Sequence, residues 1–338
     1  MARRRYPWER LDDERLLELR FKDLGLSLER SPVKKRVERL HGELARKGLR
    51  FRPHAWLSTE WFSPDGVPGI AIPFYLAHPR LARLERAQMY DVEGGTELAC
   101  LRLLRHETGH ALDSAYRLHR RRAWREAFGD WSAPYENAYT PRPYSRHYVM
   151  HLDMWYAQSH PAEDFAETFA VWLQPRSDWH RRYARWPALK KLLAVDALMQ
   201  TIAGRAPPVR SREQTERLSS LKQTLGEHYE ARRRRTSVHR PGLVDPVLHR
   251  LYPDGPGPFE PAASFLRRHR AQLRRAVGTW TGVYRHAIDR LLEEMIQRAD
   301  ELDLKRRRPS AEALADAIAV LTVQTMNHFH GSRFRLMR

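Results

Sequence analysis

What this chain lacks narrows it before any motif is read. One cysteine, Cys100, stands among 338 residues, so no internal disulfide can staple the fold, and a reducing, cytoplasmic setting is expected. No run approaches the roughly 18 apolar residues of a membrane span. Nor does an apolar segment follow Arg3, Arg4 and Arg5, as it would in a secretory signal. A soluble protein with no membrane partner is the expectation. No internal repeat stands out, and zinc-finger spacing, an RNA-recognition signature and a clear helix-turn-helix are all missing. At this length the chain exceeds one typical domain and can bury a sizeable core unaided.

Acidic residues are also in short supply: 41 Asp and Glu face 60 Lys and Arg, for a formal net charge of +19. Such a surface attracts polyanions, and binding becomes salt-dependent where phosphates are neutralised. Basic clusters at 232–235, 267–275 and 305–308 keep nucleic acid open as a partner, without a recognition motif to favour it. Solvated helix faces account for the same excess.

One segment carries chemistry. In His106-Glu107-Thr108-Gly109-His110 two histidines lie four positions apart with a glutamate between them. On a helix such positions share a face, so both imidazoles can reach one metal ion with Glu107 beside it. Helical spacing is present: Leu98, Leu101, Leu104, Ala111, Leu112, Ala115 and Leu118 recur along 97–122, after a break at Gly94 and Gly95 and an N-cap at Thr96. The duller reading is a pair of surface histidines on a basic helix. A catalytic zinc ion takes three protein ligands and leaves a fourth position for water, so a further donor must be found.

The segment 156–170 supplies candidates. Pro161 suits the first turn of a helix with Ser159 or His160 as its cap, and Phe165, Phe169 and Trp172 form an apolar stripe that reads as core. Glu163 and Glu167 fall on another face beside small Ala166 and Ala170, which let this helix approach the first closely. Two carboxylates on a partly buried helix are costly without a cation or hydrogen-bond donors. Glu163 is the foremost third ligand. Exchange of roles with Glu167, or simple helix-dipole charges at both positions, are the alternatives. With zinc held there, Glu107 is placed to shuttle a proton. Tyr156, or one of His147, His151 and His160, is placed to donate to a developing oxyanion. Tyr156 reads equally well as a packed aromatic, and His160 as a helix cap.

These residues resemble those of the bacterial putative zinc-binding metallopeptidases, a likeness covering about the first 205 residues through 51–80, 104–122, 147–173 and 186–199. More distantly, the chain resembles the glutamate-ligand zincins thermolysin and anthrax lethal factor. The resemblance implies a zincin fold, one zinc ion on His106, His110 and Glu163, and Glu167 accepting a hydrogen bond from the His106 ring. It matches Tyr156 to a tyrosine that faces the substrate carbonyl. Asp113, three residues after His110, stands where some zincins carry an acid, although the family does not fix that position. Hydrolysis of peptide bonds in a peptide or protein substrate is the implied activity. Two other readings stay open: a DNA-associated or regulator-cleaving metalloprotease recruited by its basic C-terminal region, and a non-catalytic zinc-stabilised scaffold. A closed structural site needs no base at Glu107, which speaks against the scaffold.

The architecture expected is α+β and mostly helical. An N-terminal helical pair belonging to the catalytic domain occupies 1–50, a zincin-like core with a small sheet 51–205, and a basic helical accessory region 206–338. Helices are predicted over 9–24 and 32–47, closed by Gly25 and Gly48, and over 187–203, 213–234, 262–298 and 311–327. Strands are predicted over 52–62 and 69–76 around a turn at Ser63, Pro64, Asp65 and Gly66. The resemblance to zincins implies that the second strand is the edge that aligns substrate, where a peptide could add by backbone hydrogen bonds. Residues 131–148, rich in proline and aromatics, read as a lid over the site, and 206–210 as a linker.

Overall fold

The computed structural model describes residues 6–136, 138–139, 142, 144–153, 155–235, 244–252, 260–330 and 334–335. Among these residues helix dominates, and the strands occur only in two-stranded pairs. Contacts divide the chain into two compact units. The first runs through Arg86 and from Val92 to Glu227; the second holds Ala87–Asp91 and His228–Phe334.

In the first unit the helix expected over 9–24 is interrupted. Asp12 accepts the Arg15 N–H at 2.8 Å and so starts a short new helix, α1 (Asp13–Leu17), between 3-10 turns at Pro7–Arg10 and Phe21–Leu24. Then follow α2 (Val33–Arg46), β1 (His54–Ser58), β2 (Gly69–Pro73), α3 (Pro79–Met89), α4 (Glu97–Tyr116), α5 (Arg122–Phe128), α6 (Pro161–Leu173), α7 (Trp179–Arg182) and α8 (Leu189–Ile202). Trp124 and Phe128 from α5 meet Phe165 of α6 with ring centroids 5.8 and 5.4 Å away, and Phe169 extends the cluster. Each such ring contributes about 1.5–3 kcal/mol by leaving water, so α6 is anchored by its apolar stripe as expected.

The small sheet differs from expectation. β1 and β2 pair in parallel, His54 with Gly69 through Ser58 with Pro73, although only residues 59–68 connect them. Parallel neighbours ordinarily need a longer crossover. Here the connection doubles back along the far side of β2, where the Phe62 carbonyl accepts the Ala71 N–H at 2.8 Å. β2 is therefore buried throughout, between β1 and Phe62, and is not an open edge for a peptide. The segment expected as a linker is tied to α4 at one point, and the residues just after it meet β1. His54, Trp56 and Ser58 bond the carbonyls of Glu213, Thr215 and Glu216 at 2.8–2.9 Å, and the Val209 N–H donates to Ala115 O at 3.2 Å. Of the helix predicted over 213–234, only α9 (Leu225–Arg235) forms.

The second unit is helical: α10 (Asp245–Leu251), α11 (Ala262–Thr281), α12 (Arg285–Glu301) and α13 (Ser310–His330). The long helix read over 262–298 is two helices, because Gly282 takes a left-handed φ of 68° and ends α11. Leu248, Leu266, Leu273, Val277, Ile288 and Leu292 belong to its apolar core. Glu260–Pro261 pair antiparallel with Lys305–Arg306. Among the described residues no helix is long and apolar enough to cross a membrane.

Candidate metal centre

Two helices of the first unit build the centre, and each begins where its sequence says it should. Thr96 Oγ1 accepts the Ala99 N–H at 3.2 Å and opens α4; Arg117, at a left-handed φ of 51°, closes it short of the predicted Arg122. Within α4 the stripe is buried from Leu101 to Ala115, while Leu98 alone of the predicted set faces solvent. At α6 the choice of cap falls on His160, whose Nδ1 accepts the Ala162 N–H at 3.1 Å, with Pro161 in the first turn. The helices touch backbone to backbone. A Cβ built on Gly109 would lie 2.7 Å from Ala166 Cα, so the glycine inside the histidine motif is a requirement of packing.

That approach brings three donor atoms together. Glu163 Oε2 is 3.1 Å from His106 Nε2 and 3.1 Å from His110 Nε2, and the two imidazole nitrogens are 3.2 Å apart. Behind them the buried Glu167 accepts the His106 Nδ1–H through Oε1 at 2.8 Å and the Leu152 N–H through Oε2 at 2.7 Å. With its proton on Nδ1, the neutral His106 ring turns a lone pair toward the Glu163 carboxylate. Lone pairs facing each other at this distance require a cation or a proton between them. The titration behaviour expresses the same demand. Burial works to lower the His106 and His110 pKa values and to raise that of Glu163, yet their mutual contacts hold both histidines above, and Glu163 well below, the ordinary range. His106, His110 and Glu163 thus form a group that could hold a metal ion.

Glu107, on the same helix, is buried, and burial raises its carboxyl above the ordinary value against the pull of His106 and His110. Its backbone carbonyl accepts the Ser63 hydroxyl at 3.0 Å, which ties the loop before β2 to the motif. Tyr156 lies in a 3-10 turn with its ring centroid 5.7 Å from that of His106. The other candidates have other partners. His151 is buried and bonds Arg102 O at 2.9 Å; His147 is exposed; His160 serves as cap and bonds Ala133 O at 2.8 Å. Asp113 takes the His119 N–H at 2.8 Å and the His119 ring at 2.6 Å, a pairing beyond the end of α4.

Two residues escaped the sequence reading, both from the proline-rich stretch read as a lid. The Tyr135 hydroxyl donates to Glu163 Oε1 at 3.0 Å. Tyr139 is buried near Glu163 and Glu167, and burial followed by their charges drives its phenol pKa up. Nothing periodic marks these tyrosines; only the density of aromatics in the stretch hinted at them. Residues 137, 140, 141 and 143 of that stretch lie outside the described residues.

Neither a curated protein nor a solved structure matches the chain. The family likeness is narrower than the first 205 residues but contains the whole centre: residues 95–184, with His106, Glu107, His110, Glu163 and Glu167 among them, match the family described as putative zinc-binding metallo-peptidase.

Proposed function

We propose that the protein is a zinc-dependent peptidase of the zincin type, with His106, His110 and Glu163 holding one zinc ion. The observation that carries this reading is the triangle of donor atoms with edges of 3.1, 3.1 and 3.2 Å. A tetrahedral ion bonded at about 2.0–2.1 Å wants adjacent donors about 3.3 Å apart, and two imidazoles with one carboxylate is a zinc set. Among the described residues the group has three members, which suits a site that keeps a position for water. Once bound, zinc polarises a peptide carbonyl and brings the pKa of water near 7.

The chain's own residues do the rest. Glu107 takes the proton of the attacking water and returns it to the leaving amine, a task for which a carboxyl raised by burial is better matched than an ordinary one. Glu167 fixes the tautomer and orientation of His106. Tyr156 donates to the carbonyl oxygen as charge builds there. The basic second unit supplies no motif that selects a different chemistry, so nucleic acid stays outside this proposal.

Purified protein should contain one zinc per chain and cleave peptides in a reaction stopped by a chelator and restored by zinc. Glu107→Gln should keep its zinc and lose about 10²–10⁴-fold in rate. Full activity in that variant, or wild-type protein that takes up no zinc, would falsify the assignment.

A further inference from the structure

The hydroxyl of Tyr135 reaches the one oxygen of Glu163 that the histidines do not face. Oε2 is 3.1 Å from both imidazole nitrogens, while Oε1 accepts from Tyr135 at 3.0 Å. The tyrosine ring is itself held. It stacks on His160 with centroids 3.7 Å apart and planes at 14°, and His160 is fixed at both nitrogens, by Ala162 N–H and by Ala133 O. A helix cap is thereby used a second time, as the platform for a residue from a segment without regular structure.

We propose that Tyr135 is a positioning residue that keeps Glu163 a one-oxygen ligand, with His160 as its platform; this rests on the metal reading above. A carboxylate with both oxygens free can rotate and offer both to an ion, which takes up the coordination position a hydrolytic site needs for water. A hydroxyl donating to Oε1 in a charge-assisted bond locks the rotation and leaves Oε2 alone toward the histidines. The arrangement parallels that at His106, where Glu167 fixes the ring from behind. Two of the three proposed ligands, His106 and Glu163, are thus each steered by a partner that does not itself join the triangle.

Tyr135→Phe removes the hydroxyl and keeps the stacked ring. Chelator competition on the full chain should show zinc binding weakened by about 10–100-fold. With cobalt in place of zinc, the visible absorption of the variant should fall in intensity, as it does when a second carboxylate oxygen raises the coordination number. His160→Asn keeps a side chain able to cap α6 but takes away the platform, and should move affinity and spectrum the same way by a smaller factor. An affinity within twofold of wild type together with an unchanged cobalt spectrum in Tyr135→Phe overturns the proposal while leaving the metal site intact. Wild-type protein that binds neither ion overturns the metal reading and this inference with it. A spectrum unchanged in His160→Asn but altered in Tyr135→Phe removes the platform and keeps the hydroxyl.

Discussion

In the first unit Glu43, Arg105, His106, Glu163, Asp164 and Glu167 are all buried, whereas the core of the second is apolar and several of its ion pairs stand at the surface. Arg267 meets Asp300 and Arg308 meets Asp316 with side chains about half exposed on both sides, and the exposed Arg268 meets the more sheltered Glu260. Among the described residues of the second unit Asp289 is a buried acid, gripped by Arg270 and Arg274 at 2.5 and 2.6 Å. The difference is one of purpose. A buried charge is expensive, so the fold keeps one only where partners fix its position, and around α4 and α6 the buried charges surround the group that could hold a metal ion. In the second unit the arginines of 267–275 and 305–308 that look like a free basic face in sequence are in part matched by acids of the same unit.

Breaking one buried pair should therefore cost far more than breaking one surface pair. Arg105 sits beside His106 on α4, and its guanidinium grips both oxygens of Glu43 on α2 at 2.7 and 2.8 Å. Arg105→Met leaves Glu43 in the interior with only Arg39, 3.6 Å away, to answer it. The expected loss is about 3 kcal/mol, at the lower end for a buried pair because Arg39 remains. Pairing it with Glu43→Leu should recover most of that loss, since both charges are then gone. Urea unfolding of the two variants checks this; a single variant costing less than about 1 kcal/mol would show that the pair is not what joins α2 to α4.

Much of the centre could be read in the sequence because its logic is local. Histidines one turn apart, a cap at Thr96, a proline after His160 and two glutamates one turn apart are all consequences of helical period, and period survives whatever surrounds the helix. The small sheet shows where that stops. The sequence marks both strands, yet their parallel pairing depends on Phe62 turning back onto Ala71, a contact no alternation pattern encodes. Tyr135 was hidden for the same reason: it reaches Glu163 across a stretch with no period. The segment 206–210 looked like a linker from its prolines, but one of its backbone donors, the Val209 N–H, is tied to the Ala115 carbonyl of α4. Helix 262–298 failed at Gly282, where one left-handed residue outweighs a continuous apolar stripe.

Acid should probe the second unit through one buried histidine. His286 lies inside it, and burial, then the charges of Arg232, Arg290 and Arg233, push its pKa down to about 4. The ordinary value is 6.5, so between these limits the unfolded chain binds a proton that the folded chain refuses. Stability from this residue is complete above pH 6.5 and is lost as pH falls toward 4, by about 2 kcal/mol at pH 5. His286→Gln should lack that part of the slope. Unfolding free energies of wild type and variant at pH 7 and pH 5 give the comparison, and a difference that stays constant between the two would mean the histidine is not held neutral.

The smallest effect is expected at the surface. Arg267 and Asp300 approach to 3.2 Å with half or more of each side chain in solvent, where Coulomb attraction is screened and holding two long side chains costs entropy. Arg267→Ala should change stability by less than about 1 kcal/mol, and raising salt should shrink even that. The value of this variant lies in its contrast with Arg105→Met, since each removes one arginine facing one acid and they differ mainly in burial. If the surface change cost as much as the buried one, burial would not be what separates the two units, and the charges around His106, His110 and Glu163 would need some other account of why they are tolerated.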